Sequence, residues 1–154
     1  MDVTLRKIEI NLRTLGLGVI AFGAWAFVKY ILMFFFYGSY VDESLSDNEK
    51  LILNIICWIV ALLALLIRVY VGVSAQSESK GKRKTGFYIF LTGWLAFLSL
   101  SGILLEIFII IFVSEHLLNL IINMVIDVTS LVIMLELMVN AIRLRKLRKE
   151  VARA

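Results

Sequence analysis

Five ionisable side chains interrupt long apolar segments of the chain, and their chemistry is what most needs an explanation. They are Lys29, Arg68, Glu106, Asp127 and Glu136. A charged side chain near the centre of a bilayer costs about 2.5 to 3.5 kcal/mol on insertion scales. Each of the five therefore needs an opposite charge, a water-filled cavity or a route to the membrane interface.

The depths of these residues predict two ion pairs. With about 1.5 Å of helical rise per residue, Lys29 and Asp127 both lie about 4 to 5 Å to one side of the middle of their segments. Arg68 and Glu136 both lie about 8 to 9 Å to the other side. We expect Lys29 to pair with Asp127, or with Glu106, inside the protein. Arg68 either pairs with Glu136 or extends its long stem to the interface.

A polar stripe on the last apolar segment faces a stripe of small residues on the segment before it, because intervals of three and four residues keep side chains on one helical face. The polar stripe consists of His116, Asn119, Asn123, Asp127 and Ser130, and the other of Thr92, Ala96, Ser99, Gly102 and Glu106. One interpretation is a dry helix contact held by interhelical hydrogen bonds. The other is a polar pathway with two titratable carboxylates, Asp127 and Glu106.

The elements that must position these residues are membrane-spanning helices. Of the 154 residues, 61% are hydrophobic and 18% charged, whereas soluble domains are about 45 to 50% apolar. Four apolar runs exceed the length of about 18 residues that a transmembrane helix needs. The sequence therefore predicts an all-α polytopic membrane protein forming one domain. Its transmembrane helices, at residues 15–37, 51–74, 87–113 and 117–143, form an antiparallel bundle.

The flanking segments and the positive charges predict the orientation. Residues 1–14 carry an apolar stripe of Leu5, Ile8 and Leu12 and are expected to form an amphipathic interfacial helix. Residues 144–154 form a basic tail. Of the 16 lysines and arginines, 13 lie on the side of both termini, and Lys50 is alone on the other side. Both termini are therefore expected in the cytoplasm, with the basic segments against anionic lipid headgroups and no nucleic-acid partner.

The sequence argues against an enzyme and against a bound cofactor or metal. It contains no phosphate-binding loop, zinc-protease motif or nucleophile elbow. Cys57 and His116 are the single cysteine and the single histidine, which excludes an internal disulfide and a cysteine or histidine metal cluster. His116 and Asp127 lie about 16 Å apart along a helix, too far to act together.

The size and the four-span layout resemble those of small multidrug-resistance exporters. Members of that family carry an essential glutamate in the first span, where this chain has Lys29, and many show little charge bias. We make no family assignment. Two hypotheses follow: a non-catalytic interaction or assembly subunit that associates with itself or with another membrane protein, and a small proton- or cation-coupled transporter or channel using the intramembrane carboxylates.

Overall fold

A computed structural model describes residues 2–37, 46–82, 85–112 and 117–151, and these residues form four α-helices. They are α1 (Asp2–Tyr37), α2 (Asp47–Ser79), α3 (Phe87–Phe112) and α4 (Leu117–Val151). Each helix contains a stretch long and apolar enough to cross a membrane. The prediction of an all-helical, multi-pass membrane protein is therefore confirmed.

The helices meet most closely at one end of the molecule, which we call the base. There, the beginning of α1 and the end of α2 contact the end of α4 through ion pairs, close to the start of α3. α1 packs against α2 and α4, α3 packs against α4, and α2 touches α3 only over a short stretch. The buried core lies toward the base and consists of Leu12, Val19, Val71, Ala75, Tyr88, Leu95, Ala96, Met134, Leu137, Ala141 and Leu144.

The N-terminal segment belongs to the first long helix. α1 is continuous from Asp2 to Tyr37, so residues 2–14 are its first turns. Leu12 is fully buried, and Leu5 and Ile8 pack against the same core. The apolar stripe of this segment is thus directed toward the other helices. A separate amphipathic helix lying in the membrane interface is not confirmed.

The second helix is longer than the sequence predicts. It continues to Ser79, beyond the expected end at residue 74, because Ala75 is fully buried and extends its core-facing side. The chain turns out of the helix at Gly81, two residues beyond Ser79, where the positive φ of 84° is a conformation that suits glycine. The Gly81 N–H donates to the Glu78 carbonyl and the Lys82 N–H to the Ser77 carbonyl, which is the Schellman pattern of a helix C-terminus.

Two glycines bring α1 and α2 into backbone contact. A Cβ atom placed on Gly72 would lie 2.5 Å from the Gly16 carbonyl oxygen and 2.5 Å from the Ile20 side chain. A Cβ atom on Gly16 would lie 2.8 Å from the Gly72 carbonyl oxygen. Both distances are too short for any larger residue without a backbone shift. Small residues at such a crossing let membrane helices pack closely, so these glycines fix the position of α2 on α1.

Candidate functional site

A polar cavity lies among α1, α2 and α4 within the membrane-spanning part of the molecule. Its volume is about 200 Å³, and its charged lining residues are Lys29, Arg68 and Asp127. Ser130, which is buried, also lines it. The remaining lining residues are Phe22, Trp25, Ala26, Tyr30 and Ile126. Three of the five charged residues singled out from the sequence therefore share one cavity.

Arg68 reaches this cavity because α1 offers it a glycine. A Cβ atom on Gly23 would lie 3.0 Å from both the Cβ and the Cδ atoms of Arg68, so the arginine stem lies directly against the α1 backbone. The guanidinium interacts electrostatically with Asp127 on α4. Among the described residues, neither Arg68 nor Lys29 has a carboxylate oxygen within 4.0 Å. Lys29 and Asp127 therefore line the same cavity but do not form the direct ion pair that we expected.

Glu106 on α3 extends the same network. Its carboxyl group interacts with Asp127 and with Lys29. One of its oxygens, Oε2, is buried and has no hydrogen-bond partner among the described residues. Four of the five charged residues, one from each helix, are thus linked by lining one cavity or by electrostatic interaction with its lining.

Glu136 does not belong to this network, and its expected pairing with Arg68 is not found among the described residues. Its side chain is exposed on α4. Glu136 follows Asp127 by nine residues, which corresponds to about two and a half helical turns and places it on the opposite face of α4. Similar depth in the membrane suggested that Glu136 pairs with Arg68. The position of Glu136 around the α4 axis instead directs its side chain away from the cavity that Asp127 lines. Arg68 interacts with Asp127 instead.

The side chains of the two predicted stripes differ in burial and in the hydrogen bonds that they make. Thr92 is buried, but its hydroxyl donates to the Tyr88 carbonyl of its own helix at 2.7 Å. Ser99 and Asn123 are half-buried. Among the described residues, none of these side chains, nor Ser130, makes a hydrogen bond from α3 to α4. His116 and the side chain of Asn119 lie outside the described part.

An apolar groove between α1 and α2 adjoins the polar cavity. Its volume is about 380 Å³, and it shares Ala26, Tyr30 and Arg68 with the cavity. Its other lining residues are Gly23, Phe27, Ile56, Cys57, Val60, Ala61, Ala64 and Leu65. Trp58 packs edge-on against the rings of Tyr30 and Phe27, with centroid distances of 5.2 Å and 6.3 Å. The groove and the cavity therefore adjoin at these three shared residues, and together we call them the amphipathic site.

An ion-pair cluster at the base was missed by the sequence interpretation. Arg145 donates from Nε and Nη2 to the two carboxylate oxygens of Glu78 at 2.6 Å and 2.8 Å. Arg148 donates to the Glu78 carbonyl at 2.9 Å and to the Glu9 carboxylate at 2.7 Å. These contacts place two arginines of the predicted basic tail against the protein itself.

The sequence contains one indication of this cluster. The helical spacing of core-facing residues continues beyond residue 74, where the second transmembrane helix was expected to end. Val71, Ala75 and Glu78 follow each other at intervals of four and three residues, so the core-facing side of α2 runs on into the segment that the sequence interpretation assigned to a loop. Glu78 is only 3% exposed. A carboxylate on the buried side of a helix needs a cation, and the structure supplies it from Arg145 of α4.

Comparison of the chain with protein-family models, with curated proteins and with solved structures finds no match.

Proposed function

We propose that this chain is a non-catalytic interaction or assembly subunit of a membrane complex, and that it associates through α2. The observation that carries the proposal is the exposure of this helix. None of residues 51–66 of α2 is buried by the other described helices. α2 packs on α1 and touches α3 only over a short stretch. Much of its apolar surface is therefore left for lipid or for another protein.

A regular row of aliphatic side chains on α2 supports a helix partner. Exposed isoleucines and leucines recur at intervals of three, four, three and four residues, at Ile52, Ile55, Ile59, Leu62 and Leu66. This spacing is that of a heptad seam between packed helices. We propose a second copy of the chain as the occupant, with the α2 helices of two copies in contact.

Cysteine cross-linking tests this arrangement. Ile59→Cys in a Cys57→Ala background is expected to form disulfide-linked dimers when native membranes are oxidised. Leu105→Cys in the same background is the matched control, because Leu105 is equally apolar and exposed but lies on α3. Equal cross-linking at the two positions, or none at Ile59, would contradict an α2 interface.

The proposal includes an orientation with both termini in the cytoplasm. The base carries the start of α1 and the end of α4, and the helix directions put 10 described lysines and arginines toward that side, against Lys50 on the other. The contacts of Arg145 with Glu78 and of Arg148 with Glu9 support helices that alternate in direction. We propose an antiparallel bundle whose remaining basic side chains face anionic headgroups.

A proton- or cation-coupled transporter or channel is the second candidate, and the polar cavity favours it. A charged cavity within a membrane-spanning region is typical of ion and proton pathways.

Ser130→Cys in a Cys57→Ala background reports on water in the polar cavity, because a thiol reacts with water-soluble reagents only as thiolate. Transport predicts rapid labelling of Ser130→Cys. Val132→Cys, at an exposed apolar position on α4, is the control and should stay unlabelled. Equal, slow labelling of both would contradict a pathway.

A further inference from the structure

The amphipathic site between α1 and α2 combines a charged part and an apolar part around one arginine. Arg68, Tyr30 and Ala26 line both the polar cavity and the apolar groove. The groove contributes mostly aliphatic and aromatic surface from the two helices. A ligand that occupied both parts would therefore need one polar end and one apolar body.

The charge on the cavity wall defines the sign of the polar end. Two cations, Lys29 and Arg68, and one carboxylate, Asp127, line the cavity. Among the described residues, neither cation has an ion-pair partner within 4.0 Å. Glu106, which interacts with Lys29 and with Asp127, brings a second carboxylate to the network, so the four charges balance formally but without direct contact to either cation. An anionic group that reached Lys29 and Arg68 would give both cations the direct contact that Asp127 and Glu106 do not make.

The structure also holds the arginine in position for such a group. Gly23 lets the Arg68 stem lie flat on α1, at 3.0 Å from where a Cβ atom would be. A guanidinium fixed in this way loses little side-chain entropy on binding, and its planar fork matches carboxylate and phosphate oxygens. The groove volume of about 380 Å³ lies in the range of small-molecule pockets.

We propose that this site binds a small amphipathic anion, with its acidic group between Lys29 and Arg68 and its apolar body in the groove between α1 and α2. A single medium-length carboxylic acid has this chemistry. The inference goes beyond the assembly role and does not depend on it, since cross-linking through Ile59 and ligand binding at Arg68 are measured separately.

Tryptophan quenching by 12-bromododecanoate tests the site. The full chain is placed in zwitterionic phosphatidylcholine nanodiscs with Trp94→Phe as its one tryptophan substitution, because Trp25 lines the cavity and Trp58 packs on groove residues. Trp58 is also half-buried, so bound ligand is expected to quench the fluorescence of this protein saturably. A second protein that retains only Trp94, which is 52% exposed on α3, should show the linear quenching of lipid partitioning alone.

Charge variants and a groove variant separate the two parts of the proposal. Arg68→Gln is expected to weaken the saturable quenching at least tenfold, and Glu136→Gln, which removes an exposed carboxylate of α4, should leave it unchanged. The methyl ester of the acid should not saturate. Ala61→Phe fills the groove without changing any charge, so it should also abolish saturable quenching. This variant keeps the test decisive if Arg68→Gln does not fold.

Three results would overturn the proposal. The first is equal, non-saturable quenching in the two proteins. The second is saturable binding of the methyl ester with the affinity of the acid, which would mean that the cations do not recognise the ligand. The third is displacement of the acid by chloride together with unchanged binding in Ala61→Phe, which would indicate an inorganic anion site without the groove.

Discussion

Arg145 joins three helical segments at the base through its guanidinium. It forms two parallel hydrogen bonds with Glu78 at the end of α2 and a third, at 3.3 Å, with the Thr85 carbonyl just before α3. It also lies over the ring of Tyr88, 5.6 Å from the ring centroid. Because Glu78 is buried, removal of the arginine would leave its carboxylate without an ion-pair partner among the described residues.

Substitution of Arg145 tests this contact. Arg145→Gln is expected to lower the free energy of unfolding by up to about 3 to 5 kcal/mol, the cost of breaking a buried ion pair. Arg145→Lys should recover only part of it, because an ammonium group cannot form two parallel bonds. Thermal unfolding in nanodiscs measures both. Arg143→Gln, at an exposed position on the same helix, is the control, and an equal effect of Arg143→Gln and Arg145→Gln would disprove the prediction.

The intramembrane network allows a test of which charges interact. Arg68→Gln and Asp127→Asn should each destabilise the protein, and the double variant should lose less than the sum, with a coupling of about 0.5 to 3 kcal/mol. Arg68→Gln combined with Glu136→Gln should be additive, because Glu136 lies on the other face of α4. Denaturation of the three single and two double variants, beside the unaltered protein, gives both couplings. Additivity for Arg68 and Asp127 would refute the interaction.

For individual residues, the sequence indicated which buried charges lie near one another better than it predicted which of them pair. The cost of burying charge singled out Lys29, Arg68 and Asp127, which line one cavity, and Glu106, which interacts with two of them. Pairing by depth failed for Glu136, since depth contains no information on the face of the helix. Glu78 was overlooked because its segment was taken for a loop.

At the scale of elements, α2 is defined by where it starts, where it crosses α1 and where it ends. The Ser46 backbone N–H and hydroxyl both donate to the Glu49 carboxylate, at 3.0 Å and 2.7 Å, which closes the start of the helix. The Schellman turn at Gly81 closes its end. Between them, Gly72 touches the α1 backbone, so the position of α2 depends on that contact.

An added methyl group at the crossing tests its closeness. Gly72→Ala should lower the free energy of unfolding by about 1 to 3 kcal/mol, because the Cβ atom collides with the Gly16 carbonyl and with Ile20. Gly102→Ala on α3 is the matched control, since no atom lies within 4 Å of its added Cβ. Alanine should be neutral or stabilising there. Equal stability of the two variants in chemical denaturation would contradict a tight crossing.

At the scale of the whole molecule, the core and the cavities occupy different halves. Most buried apolar residues lie toward the base, whereas the groove and the polar cavity lie farther from the base, between Phe22 and Tyr30 on α1 and between Ile56 and Arg68 on α2. The number of helices could be predicted from hydropathy alone. Their contacts could not, because helices that are apolar on all sides give no periodic signal for the face that meets a neighbour.

The orientation of the whole molecule is tested by reporter insertion. A reporter active only outside the cytoplasm is expected to give signal at Ser46, before α2. The same reporter at Gly81 or after Ala154 should give none, because the basic side of a short-looped membrane protein stays in the cytoplasm. A cytoplasmic reporter at the same three sites is the control. The reverse pattern would refute the orientation.

The mass of the particle extracted from native membranes tests the assembly role most directly. Native mass spectrometry of the full chain in polymer-bounded nanodiscs, without cross-linker, measures it. An interface through α2 predicts a mass of at least two copies of the 17.5 kDa chain, reduced to one copy when Ile55, Ile59 and Leu62 on the exposed face of α2 are changed to alanine. Triple alanine substitution of Leu104, Leu105 and Phe108 on α3 should leave the mass unchanged. If the unaltered protein were extracted as a single 17.5 kDa chain, self-association through α2 would be refuted.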